Sequence, residues 1–94
     1  MKKNPTISKS VNRDVVLCET TSRVVSNRTS RLLLESSVPF SKCWKRIPLL
    51  KRRAYNGASE ICIISINRTQ YSRARRTLDF LEERDYKRLS LNVI

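Results

Sequence analysis

Glu60-Ile61-Cys62-Ile63-Ile64-Ser65-Ile66 is the stretch whose reading decides the fold. Isoleucine is branched at Cβ and packs well on a pleated surface, so four of them in six positions predict a strand. The run is nearly continuous, which predicts burial on both faces. Just before it, Asn56-Gly57 is a turn signal, since both residues tolerate the positive φ of a type I′ turn. Just after it, Asn67 can cap a helix, with Gln70 completing a capping box. Tyr71, Ala74, Leu78 and Leu81 then form one apolar stripe, predicting a helix over 67–84.

Outward from this unit, Val15-Val16-Leu17-Cys18 predicts a short buried strand. Thr20, Thr21 and Ser22 can each cap a helix start. Val25, Thr29, Leu32 and Leu33 continue at helical spacing until Ser36-Ser37-Val38-Pro39 breaks the pattern. Residues 40–55 admit two readings: a strand near 40–47 followed by a helical turn begun by Pro48, or a hairpin arm running to Tyr55. Leu89, Leu91 and Val93 alternate with polar residues, as in a half-buried strand.

The predicted order is β-α-β-β-α-β. Right-handed crossovers put both helices on one face of a four-stranded antiparallel sheet, a ferredoxin-like α+β domain over 14–94. Val15–Cys18 and Ile61–Ile66 are expected side by side at its centre. Residues 1–13 are expected to form a flexible basic tail.

Composition narrows the function. The chain has 94 residues, 20 Lys and Arg against 8 Asp and Glu, and no histidine. One glycine and three prolines disfavour a turn-dense all-β fold. No apolar run is long enough to span a bilayer, and the N-terminal residues lack a secretory apolar segment, so a cytoplasmic protein without membrane partners is expected. Cys18, Cys43 and Cys62 have no paired spacing, so no metal or cofactor is expected and the thiols read as buried filler.

Between Lys42 and Arg76 lie ten basic residues and a single acid, Glu60. Such a field attracts polyanions, and neutralising phosphates releases counterions whatever the base sequence. The phosphate contacts expected are Lys45, Lys51, Arg52, Arg53, Arg68 and Arg73. Trp44 and Tyr55 flank the cluster and could stack on bases, although core packing is the favoured role for Trp44. Glu60 reads as an ion-pair partner at the strand edge rather than a catalytic base, and no catalytic residue is assigned. The expected protein is a non-enzymatic RNA- or DNA-binding domain. A small regulatory module docking an acidic protein is the alternative, a second copy of the chain is a further candidate partner, and a small RNA-cleaving toxin is a minor alternative.

Three resemblances bear on this reading. The order β-α-β-β-α-β resembles the RNA-recognition motif in topology, but Val15, Leu17, Ile61 and Ile63 stand where that motif places stacking aromatics. Ala58–Ile61 followed by Asn67–Ala74 resembles the turn and recognition helix of winged-helix regulators, yet the isoleucine run is a poor helix and Ser65 stands where a turn glycine is expected. Leu32-Leu33-Leu34-Glu35 before a strand, and Ile61 through Leu78, resemble small prokaryotic signal-transducing proteins of ferredoxin-like or PII-like architecture, over roughly residues 15–84. That resemblance implies the fold and carries no functional residues.

Overall fold

The computed structural model describes residues 14–93. The expected basic tail, residues 1–13, lies outside the described residues. β1 (Asp14–Thr20), α1 (Arg23–Glu35), β2 (Ser41–Arg46), a 3₁₀ helix (Leu49–Tyr55) and β3 (Glu60–Asn67) come first. A 3₁₀ turn (Arg68–Gln70), α2 (Tyr71–Leu78), the four-residue α3 (Glu83–Tyr86) and β4 (Ser90–Leu91) follow. The strands form one sheet in the order β2-β3-β1-β4, every neighbouring pair antiparallel. The arrangement is α+β and compatible with a ferredoxin-like one. β1 and β3 lie side by side at the centre, as the sequence predicts.

β3 is covered more heavily on one face than on the other. Cys62, Ile64 and Ile66 are buried, whereas Ile61, Ile63 and Ser65 are only half-buried on the opposite face. The continuous apolar run therefore overstated the second face, because α1 and α2 both pack on the first. Leu33 from α1 and Ala74 and Leu78 from α2 join Leu17, Cys18, Cys62, Ile64 and Ile66 in one core. The register of β1 slips between Val16 and Cys18. The extra residue of this bulge leaves both Leu17 and Cys18 fully buried.

Ser22 caps α1, its Oγ accepting from the Val25 backbone N–H at 3.2 Å. The helix ends at Ser36, and Ser37 adopts the left-handed conformation at φ 59°. The Ser37 N–H donates to the Leu34 carbonyl, and that of Val38 to Leu33 at 2.9 Å. This is a Schellman closure, with buried Val38 packed in the same core as Leu33.

Of the two readings of 40–55, the strand followed by a Pro48-led helical turn is the one found. Asn56 (φ 58°) and Gly57 (φ 85°) do take positive φ. They close the 3₁₀ helix, however, rather than joining two strands directly.

The helix expected over 67–84 is shorter. Asn67 accepts from the Thr69 backbone N–H at 2.9 Å and caps a 3₁₀ turn, while Gln70 accepts from Arg73 instead of completing a capping box. α2 then stops at Leu78. Glu83 and Asp85 consequently lie in the first turn of α3, where the helix dipole favours acids. The helix-turn-helix comparison fails because residues 60–67 are a strand.

Candidate nucleic-acid interface

The six expected phosphate contacts fall at opposite ends of the sheet. Lys45 is on edge strand β2 opposite Ile61, and the neighbouring Arg46 is opposite Glu60. The 3₁₀ helix carrying Lys51, Arg52 and Arg53 extends beyond that same end, tied down by the Ile47 N–H donating to the Ser59 carbonyl at 2.8 Å. Arg68 follows the last residue of β3, and Arg73 is in the first turn of α2. Eight strand residues at ~3.3 Å each put roughly 23 Å between the two groups. Four of the six candidates are thus brought together, and two are not.

Two of them are also engaged structurally. Arg52 is half-buried and donates from Nε to the Ile47 carbonyl at 3.1 Å. Arg73 donates from Nη2 to the Ser36 carbonyl at 2.7 Å, at the C-terminus of α1, where a cation complements the dipole. Lys45, Lys51, Arg53 and Arg68 are exposed.

Trp44 lies on the helix-covered side of β2, opposite Cys62, and packs partly against the core. The Arg23 guanidinium lies 4.4 Å from its ring centroid and pairs with Glu60 at 2.9 Å. Trp44 is therefore sandwiched between core and cation, matching its favoured role. Glu60 makes the edge ion pair. The Arg23 position in this stack had no signal in the linear sequence, since 37 residues separate it from Glu60.

Acid–base pairing is concentrated elsewhere. Among the described residues the ion pairs join Arg23 to Glu60, Arg28 to Asp85, Arg84 to Glu82 and Asp85, and Lys87 to Glu83. None of the ten cations from Lys42 to Arg76 takes part. Lys42 instead donates to Asn27 and Ser30, and Arg75 donates to the Tyr71 hydroxyl at 2.7 Å. The Tyr71 hydroxyl in turn donates to the Asn92 carbonyl, and the Asn92 side chain reaches the Val16 carbonyl at 2.8 Å. This chain of bonds fastens α2 to β1 and the end of β4.

The thiols divide by exposure. Cys18 and Cys62 are fully buried, and Ser26 Oγ donates to Cys62 Sγ at 3.3 Å. Burial, then the neighbouring Cys62 and Glu19, push the Cys18 thiol up to about 12. Cys43, expected to be buried, is exposed, because it projects from the edge strand on the side away from the helices.

Among the described residues no helix is long and apolar enough to cross a membrane. No protein-family model, curated protein or solved structure matches the chain.

Proposed function

We propose that the chain is a small, ferredoxin-like, non-enzymatic domain of the cytoplasm that binds RNA or DNA mainly through phosphate contacts. The observation that carries the reading is the pattern of ion pairing. Ten cations between Lys42 and Arg76 lack a carboxylate partner among the described residues, while the acids that do pair take Arg23, Arg28, Arg84 and Lys87. A merely solubilising face interleaves both signs, whereas an unneutralised cluster favours an external polyanion. Lys45, Lys51 and Arg53 are the exposed contacts at one end and Arg68 the exposed contact at the other.

A salt titration against RNA and duplex DNA tests it. At about 0.9 for each duplex phosphate neutralised, these four exposed contacts give a log–log slope of roughly −3.6. Absence of binding to every RNA and DNA at about 100 mM salt, where the Debye length is ~10 Å, ends this reading and leaves an acidic protein as the partner.

A further inference from the structure

The 3₁₀ helix between β2 and β3 carries an apolar feature that phosphate contacts leave unexplained. Leu49 is 74% exposed and Leu50 95% exposed, the latter the most exposed large apolar side chain among the described residues. Single exposed leucines are ordinary, but here two are adjacent at the tip of a connection whose other side chains include Lys51, Arg52 and Arg53. The tip is held in shape. The Lys51 N–H donates to the Pro48 carbonyl and the Gly57 N–H to the Arg52 carbonyl, at 2.8 and 2.7 Å. Arg52 grips the Ile47 carbonyl, and Ile47 itself is 3% exposed. A preformed projection loses little conformational freedom on binding.

Resting on the nucleic-acid reading above, we propose that Leu50, with Leu49 beside it, is an apolar wedge. It enters a base step of duplex DNA from the minor groove while Lys51 and Arg53 hold the flanking phosphates. Apolar side chains inserted in this way partly unstack the step and kink the duplex. Charge complementarity selects the partner, since the leucines sit among cations with no acid from Lys42 to Ser59. The helix geometry argues against a bilayer as occupant. In a 3₁₀ helix residues i and i+3 eclipse, at ~2.0 Å rise per residue, so Leu50 shares its face with Arg53 one turn of roughly 6 Å away. Leu50 thus shares its face with an exposed arginine rather than belonging to an apolar stripe, and insertion into hydrocarbon would drag Arg53 towards it. Beside a groove edge that same guanidinium meets a phosphate. Arg52 is a positioning residue, because its guanidinium is turned back onto Ile47.

The test uses the full chain and a 20-base-pair duplex with a central TA step, labelled at its ends for energy transfer. TA steps unstack readily, which lowers the cost of a kink. The wild type is expected to bind and to raise transfer efficiency. Leu50→Ala is expected to lose the bend and about tenfold in affinity, the lower end for withdrawing a leucine from an apolar site, with an unchanged salt slope. At 95% exposure the substitution leaves the core intact. Binding without bending, or a Leu50→Ala protein that bends like the wild type, overturns the wedge while leaving phosphate binding intact. Binding confined to single-stranded RNA does the same. Vesicles of phosphatidylcholine and phosphatidylserine captured by the wild type and released by Leu50→Ala, without DNA bending, overturn it in favour of a membrane dock. No binding to any nucleic acid removes the underlying reading as well.

Discussion

Arg28 on α1 donates from one Nη1 to both carboxylate oxygens of Asp85 on α3, each at 3.0 Å. The Asp85 side chain is 6% exposed and that of Arg28 45%, so one partner is buried and the other reaches it from the surface. The pair pins the short α3 segment, and hence the approach to β4, against α1.

Arg28→Ala leaves the buried Asp85 charge with Arg84, at 4.0 Å, as its remaining ion-pair partner among the described residues. Removing one partner of a fully buried pair costs 3–5 kcal/mol; half-exposure of Arg28 lowers the expected loss to about 2 kcal/mol. Urea unfolding of the variant checks this, and a loss under about 0.5 kcal/mol would place the pair with ordinary surface ion pairs.

Ser37 at φ 59° occupies a conformation that disfavours a side chain. Ser37→Gly is expected to stabilise the protein by up to about 1 kcal/mol, seen as a higher urea midpoint with unchanged slope.

Thr29 is fully buried, and its Oγ1 has no hydrogen-bond partner among the described residues. Thr29→Val replaces an unsatisfied hydroxyl with a methyl group of similar size. A gain of about 1 kcal/mol is expected in thermal or urea unfolding.

The raised Cys18 thiol makes stability depend on alkaline pH. In the unfolded chain the group titrates near 9, and in the fold at about 12. The folded state therefore holds its proton longer, so the contribution is complete below pH 9 and is lost progressively as pH rises towards 12. Cys18→Ala should flatten the fall in stability over that window, compared at matched pH by urea unfolding. In the native wild type a thiol reagent should label Cys43 quickly and Cys18 and Cys62 only after opening.

The two basic ends should act separately. Groups some 23 Å apart, counted along β3 at ~3.3 Å per residue, do not touch and should contribute additively. Replacing Lys51 and Arg53 by Glu, or Arg68 by Glu, should each reduce the magnitude of the salt slope, by about 0.9 for each duplex phosphate that is no longer neutralised. Fluorescence anisotropy at several salt concentrations measures both. Arg52 is left in place because it supports the tip through Ile47.

Local pattern was enough where short-range physics governs. The β3 run, the Ser22 cap, the α1 stripe and the positive φ at Asn56 and Gly57 were all legible. The end of α2 was not, because Leu81 continues the stripe in register although the chain has already turned at Asp79. The acids Glu82 and Glu83 oppose the dipole at the end of one helix and suit the start of another, since acids are enriched where helices begin. The basic cluster was legible as charge, but its division between two ends depends on the direction of β3 across the sheet. The stacking of Arg23 on Trp44 depends on tertiary placement alone.

β2 is one of the two outer strands of the sheet, and it carries the exposed Lys42, Lys45 and Arg46. Suppose two copies joined antiparallel through this strand in the register centred on Trp44, which keeps the helices of both on one side. Lys42 of each would then face Arg46 of the other, and like charges directly opposite repel. In that register the strand is guarded against growing into a continuous intermolecular sheet. That guard is electrostatic, so it weakens with salt, and a concentrated solution should be most prone to association under the same ionic conditions that release a polyanion.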